Sequence, residues 1–299
     1  MGSLFTDGSF KRVFLPPCHH VFWPNVEIIC TWLTNAGHTV TDSSKDCDIQ
    51  IAFIPKNSRV LDPHKTPTVL VSTEQPMSPL WSRAGDTFLR AIHTFWCMDV
   101  VDFKFLHETY GIPLQKLCIV PVMMGTYVKM QEVRRHKTID VLQFGEINAR
   151  REQLMNEIEA VLQGKRIIST DNSWSDVLKE LISTSCVVVV PHFFEEPNVF
   201  PVHRIMNVMQ YPGVRVVVED STGSVYTRLL LQQFGDRVVF AKYENMVSAI
   251  KDVLDVEACT SGMRSDSKEP ACIAGLRAWD GKTSWLQKLS TDVFDVTSL

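Results

Sequence analysis

Apolar residues recur along this chain in two alternating rhythms. Short, nearly unbroken apolar runs lie at 12–17 (RVFLPP), 49–54 (IQIAFI), 68–72 (TVLVS) and 118–122 (CIVPV), the pattern of strands buried on both faces. Between the first two, Val26, Ile29, Cys30 and Leu33 fall at i, i+3, i+4 and i+7. That spacing makes one stripe of an amphipathic helix, which Asn25 can cap and Gly37 can end. Residues 102–110 form a second helical stretch, closed by Gly111. The rhythm breaks in a polar, basic stretch at 129–137 (KMQEVRRHK) and then restarts. Strands are predicted at 139–144 (IDVLQF), 165–169, 186–190 (CVVVV), 214–218 and 238–240. A helix starts near Arg150, and another, capped by Ser175, carries Val177, Leu178, Leu181 and Ile182 on one face. Beyond Glu257 the chain turns polar (CTSGMRSDSKEP) and reads as a surface loop, before a last helix at 285–294.

Strands separated by helices predict parallel sheets covered on both faces. The restart at 138 predicts two domains. One spans 1–128 and is completed by a helix within 284–299; the other spans 138–270. Within the linker, Arg134, Arg135 and Lys137 read as a solvated connector rather than a binding patch.

Composition narrows the classes. A chain of 299 residues, 45% hydrophobic, has material for two cored domains. Its 30 Lys and Arg stand against 34 Asp and Glu. That balance lacks the basic footprint of a duplex-binding protein, so no nucleic-acid partner is expected. No apolar run approaches the roughly 18 residues of a membrane span, and the opening residues lack the core of a signal peptide. The eight cysteines include no C-x-x-C pair. Reduced thiols and a cytoplasmic location are therefore expected.

In open parallel sheets, ligands bind beyond the carboxyl ends of the strands. Five segments occupy such positions. Gly145 to Arg151 (GEINARR) follows a strand and opens a helix. There a glycine, free N–H groups and the helix dipole favour an anion, with Asn148 as cap and Arg150 and Arg151 as phosphate ligands. The alternative is an ordinary turn with solvated arginines. Residues 191–197 (PHFFEEP) bring His192 and Phe194 to a cleft mouth, unless the phenylalanines only fill the core. Arg204 opens the next helix, able to reach a diphosphate or to pair with Glu195 or Glu196. His19 and His20 follow the first strand. No third metal ligand accompanies them, and His20 suits a general base, His19 an acceptor contact; both are otherwise plain loop histidines. Glu74 and Gln75 follow the third strand, where Glu74 can deprotonate a hydroxyl and Gln75 can bind it, or Glu74 only caps a turn. The one Asp-x-Asp, Asp46-Cys47-Asp48, leads straight into an apolar strand and reads as a strand start rather than a metal clamp. No Walker loop, dinucleotide glycine fingerprint or nucleophile elbow is present.

Residues 139–151 (IDVLQFGEINARR), 187–197 (VVVVPHFFEEP) and 203–220 (HRIMNVMQYPGVRVVVED) resemble the strand–glycine–helix, donor loop and helix–strand unit of compact GT-B-fold glycosyltransferases. In the first half, 71–76 (VSTEQP) is similar to a strand-end segment of these enzymes. The resemblance implies two Rossmann-like domains facing across a cleft, with the donor on the second and the acceptor on the first. It implies metal-independent transfer from a nucleoside-diphosphate sugar to a glycan or other hydroxyl acceptor, with no resident cofactor. The family often carries a ribose-binding glutamate three residues before the Arg of its Arg-Ile helix. Here that position is Pro201, which leaves Glu219 as the candidate. The paired glutamates of retaining members, seven residues apart, are missing, which favours inversion. A catalytically silent binding subunit and a sugar-nucleotide epimerase are the alternatives on the same scaffold.

Overall fold

The computed structural model describes residues 9–17, 23–53, 61–120, 136–171, 176–195, 201–220 and 234–261. The first lobe runs β1 (Arg12–Phe14), α1 (Trp23–Asn35), β2 (Thr39–Thr41), β3 (Ile49–Phe53), β4 (Thr68–Val71), α2 (Pro79–Ala84), α3 (Asp86–Ala91), β5 (Thr94–Cys97), α4 (Val100–Tyr110) and β6 (Leu117–Ile119). The second runs β7 (Ile139–Phe144), α5 (Ala149–Val161), β8 (Ile167–Thr170), α6 (Asp176–Ser183), β9 (Ser185–Val190), α7 (Val202–Met209), β10 (Arg215–Glu219), β11 (Val238–Ala241) and α8 (Met246–Ser261).

Every strand pair is parallel. The six-stranded sheet has the order β2-β1-β3-β4-β5-β6, and the five-stranded sheet the order β11-β10-β9-β7-β8. Counted within its own lobe, each sheet reads 2-1-3-4-5, with a sixth strand added in the first. The chain thus reverses direction across the sheet between strands 1 and 3 of each lobe. That reversal is the switch point at which a doubly wound sheet opens a crevice.

Alternation along the strands decides which helix covers which face. In the second lobe Val141, Val187, Val189 and Val217 pack with Leu154 and Ile158 of α5 and Met246 and Ile250 of α8. The other face, Leu142, Val188, Val190 and Val216, belongs to the cluster that holds Ile182 of α6 and Ile205 and Val208 of α7. In the first lobe, Ile51, Val69 and Val71 share that larger cluster with Ile29 and Leu33 of α1. Ala52, Leu70 and Phe95 pack on the opposite face with Trp81, Leu89 and Leu106.

Several expectations change. Helix α1 begins at Trp23, two residues before the expected cap Asn25. β2, β5, α2 and α3 were not expected; all are short, three to six residues each, too few to complete a periodic pattern. The first part of the loop expected beyond Glu257 is helical instead, because α8 continues to Ser261, and the rest of it lies outside the described residues. Val253 and Leu254 anchor that helix in the core, so burial earlier along it carries the helix into the polar residues that read as a loop. Gly111 does end α4, in the left-handed conformation at φ 61°. Ser175, the linker residues 129–135 and the expected helix at 284–299 lie outside the described residues.

Candidate active site

β7 and β9 are neighbours at the switch point of the second sheet, so the segments leaving them form the two lips of one crevice. Asn148 and Arg151 tie lip to lip. Asn148 caps α5, its Oδ1 accepting from the Arg151 N–H at 3.0 Å, while its Nδ2 donates to the Phe193 carbonyl at 2.6 Å. Arg151, 2% exposed, donates from Nη1 to the Glu146 carbonyl at 2.6 Å and from Nη2 to the Pro191 carbonyl at 3.0 Å. Its guanidinium lies 5.1 Å from the centre of the Phe193 ring, a cation–π contact. Phe194 meets Phe193 edge to face at 4.9 Å.

A third tie reaches β10. Arg150 grips the Glu219 carboxylate with both Nη atoms, at 2.7 and 2.5 Å, and touches the His192 carbonyl at 3.3 Å. The same carboxylate accepts the His192 N–H at 2.8 Å. Tyr243, just past β11, lies under Arg150 with its ring centre 3.8 Å from the guanidinium carbon, and its hydroxyl donates to the Arg150 carbonyl at 2.6 Å. Arg150 and Arg151, expected as phosphate ligands, are therefore engaged with protein groups. They hold the crevice in shape.

Arg204 differs from both. Its backbone N–H donates to the Pro201 carbonyl at 3.1 Å, which starts α7. Among the described residues its guanidinium has no hydrogen bond or ion pair, including none to Glu195. It lies against Gly145, whose φ of +100° suits glycine. A methyl group at that position would stand 3.0 Å from Arg204 Nη2. Glycine here answers two needs at once, the backbone turn and the close approach of the cation.

The charges do not cancel. Burial pushes Arg151 down to about 8, helped by the nearby Arg204 and Arg150 and opposed by Glu146 and Glu219. Arg204 is lowered to about 10 by burial, with Glu146 opposing. His192, 3% exposed, is held down to about 4 by burial, with Glu219 opposing and the three arginines adding to the depression. Three guanidinium groups and the N-terminus of a 13-residue helix converge on a crevice with two carboxylates, Glu219 locked in the grip of Arg150 and Glu146 acting on Arg151 and Arg204. An anion is the complement such a cluster lacks.

At the carboxyl end of β4 in the first sheet, the Gln75 carbonyl accepts from Trp81 Nε1 at 3.1 Å and from the Ser78 N–H at 2.8 Å, which fixes the turn. Glu74 lies in the same turn, near a buried acidic pair after β5. Asp99 caps α4 by accepting from the Val101 N–H at 2.7 Å, and Asp102 accepts from the Met98 N–H at 3.1 Å. Burial first, then Asp99, raises the Asp102 carboxyl well above its ordinary range, and Glu74 acts in the same direction. His19 and His20 lie outside the described residues. Asp48, the second residue of the lone Asp-x-Asp, accepts the Arg12 N–H at 2.7 Å and pairs with that side chain, a strand-start role.

No family model matches this chain, and no curated protein matches it by sequence. Among solved structures it is similar to an alpha-glucosyltransferase in complex with UDP and a 13-mer DNA containing a HMU base. The two share 12% identity over 95% of this chain and 99% of that one, with a TM-score of 0.56. The architecture is GT-B. An alpha1,3-fucosyltransferase with GDP aligns over 93% of this chain and 92% of its own, at 8% identity and a TM-score of 0.43.

Within this GT-B frame the second lobe brings together Gly145, Asn148, Arg150, Arg151, His192, Arg204 and Glu219, with Phe194 at the edge. Glu74 and Gln75 belong to the other sheet. Tyr243, Asp99 and Asp102 escaped the sequence reading, yet each follows a strand, so the strand-end rule applied to β11 and β5 points to them. A shallow groove of about 410 Å³ on the outer face of α5, lined by Glu152, Gln153 and Glu157 among others, carries carboxylates and suits no diphosphate. Among the described residues, no helix is long and apolar enough to cross a membrane.

Proposed function

We propose that this protein is a glycosyltransferase that takes a sugar from a nucleoside-diphosphate sugar and passes it to a hydroxyl acceptor. The observation that carries this reading is the Arg204 guanidinium, without a hydrogen bond or ion pair among the described residues, laid over Gly145 at the β7/β9 switch point of a GT-B fold. The diphosphate would lie on the Gly145 turn and the α5 N-terminus, with Arg204 as its cation and Phe194 at the donor's side. Arg150, Arg151, Asn148 and Glu219 hold this cradle in place before the donor arrives. Fixed cations of this kind stabilise the departing diphosphate without reorganising, the work a divalent ion does elsewhere. The base that accepts the hydroxyl proton comes from the first lobe, as Glu74 or His20, and Gln75 and His19 border the acceptor. Inversion at the anomeric carbon is the expected outcome. A reducing, cytoplasmic setting suits the free thiols of Cys30, Cys47, Cys97, Cys118 and Cys186.

The test is release of nucleoside diphosphate from a panel of nucleotide sugars, with oligosaccharides and HMU-containing DNA as acceptors. Turnover in excess chelator, undiminished relative to added Mg²⁺ or Mn²⁺, supports the reading. Absence of both binding and turnover across the panel overturns it. Turnover that collapses in chelator and returns with metal removes the arginine mechanism.

A further inference from the structure

The turn that leaves β4 is built around one carbonyl. Gln75 precedes Pro76, so the peptide between them has no N–H, and proline also restricts Gln75 to extended backbone. Both lone pairs of the Gln75 oxygen are taken, by the Ser78 N–H at 2.8 Å and by Trp81 Nε1 at 3.1 Å. Ser78 in turn caps α2, its Oγ accepting from the Leu80 N–H at 3.4 Å. The indole is itself held fast. Trp81 is 1% exposed, and its ring meets two side chains of α4, Phe105 edge to face at 5.8 Å and Tyr110 at 6.5 Å. Those two rings also meet edge to face, at 5.5 Å. Pro76 and Ser78 are buried, whereas Glu74 and Gln75 are half-buried and Met77 is exposed. The turn is therefore anchored from beneath and reaches solvent at Glu74, Gln75 and Met77.

We infer that Trp81 is a positioning residue for the transfer reaction: through the Gln75 carbonyl, its indole N–H fixes the turn that presents Glu74 to the acceptor hydroxyl. The inference rests on the reading above in which Glu74 is the base. Trp81 is buried and touches no substrate, so it acts only through the turn. A general base works only within hydrogen-bond reach of the proton it takes, and a misplacement of about 1 Å costs up to roughly 10²-fold in rate. Without the indole N–H, the Ser78 N–H alone holds the Gln75 carbonyl, and the peptide before Pro76 is free to tilt. The aromatic contacts with Phe105 and Tyr110 tie the same indole to α4, so the turn takes its position from the core of the first lobe rather than from the acceptor.

Two replacements separate the N–H from the ring. Benzothienylalanine in place of Trp81 keeps the shape of the indole and puts sulfur where the N–H was, whereas Trp81→Phe removes the donor together with part of the ring. Turnover is read as nucleoside diphosphate released from UDP-glucose, GDP-mannose and ADP-glucose, with maltotriose and HMU-containing DNA as acceptors. Both replacements should lower kcat by about 10- to 100-fold with the donor Kd, measured by calorimetry, unchanged. The isostere should also keep its Tm within a few degrees. A double-mutant cycle decides the matter. In a Glu74→Gln background the isostere should cost no further kcat, because a residue that acts through Glu74 has nothing left to position. Full turnover in the isostere, or a loss that adds undiminished to that of Glu74→Gln, overturns this inference and leaves the donor site standing. Unchanged turnover in Glu74→Gln alone removes Glu74 as the base and this inference with it, with the transferase reading intact. Neither binding nor release with any of these donors overturns both.

Discussion

The two lobes share one strand order and differ in the charge they gather at its carboxyl edge. At the second lobe's switch point the side chains are guanidinium groups, interlocked except for Arg204. Along the corresponding edge of the first lobe they are acids: Glu74, the helix-capping Asp99 and the buried Asp102, whose carboxyl is pushed up. The arginines stand at the switch point of their sheet, between β7 and β9, whereas the acids follow β4 and β5, away from the β1/β3 switch point of theirs. What the two carboxyl edges differ in is charge. One edge suits an anion; the other suits a group that gives up a proton. The proposed transfer needs both, since a departing diphosphate must be held while a hydroxyl is deprotonated.

This contrast can be broken most forcefully at Glu219. Glu219→Ala leaves the Arg150 guanidinium without its carboxylate and the buried His192 N–H without its acceptor. Removing one partner of such a buried pair should cost about 3–5 kcal/mol, seen as a large fall in Tm by scanning calorimetry. Asp102→Asn in the first lobe should cost under about 1 kcal/mol, because burial and Asp99 already disfavour the charged carboxylate and a neutral amide keeps an acceptor for the Met98 N–H. Equal damage from the two would mean that the lobes are not organised by opposite charge.

Function sharpens the comparison next. Glu74→Gln should lower kcat by about 10²- to 10⁴-fold, the usual worth of a general base, while donor affinity stays near wild type. His20→Ala competes for the same role, and whichever variant keeps its turnover is excluded as the base. A parallel loss of donor affinity would move Glu74 out of the acceptor lobe's chemistry.

The smallest effect belongs to Arg204→Ala. Nucleotide-sugar affinity should fall by about 1.5–3 kcal/mol, the range for hydrogen bonds to a charged group. The free protein should keep or gain stability, because a cation repelled by its neighbours is gone. Arg150→Ala should show the reverse order, losing Tm before affinity. If titration calorimetry finds the two arginines interchangeable, the division between gripping and positioning residues fails.

Much of this arrangement was legible along the chain. Apolar runs broken by amphipathic helices specify parallel, doubly covered sheets, because burial on both faces demands unbroken apolar strands. The same pattern located the ends of β4, β7, β9 and β10, and with them Glu74, Gly145, His192, Arg204 and Glu219. A glycine directly after a strand and directly before a capped helix is local chemistry, readable without a fold. The tasks of the arginines were not readable. Arg150 and Glu219 stand 69 positions apart, and Arg150 and Tyr243 stand 93 apart. Neighbours in sequence, Arg150 and Arg151 look alike as phosphate ligands, yet each meets a different set of carbonyls and carboxylates. Periodicity is a property of the local chain, so it determined the elements and where their ends fall. Pairing between distant side chains depends on strand order, and only the tertiary structure, by setting β7 beside β9 and β9 beside β10, decided which arginine, among the described residues, is left without a hydrogen bond or ion pair.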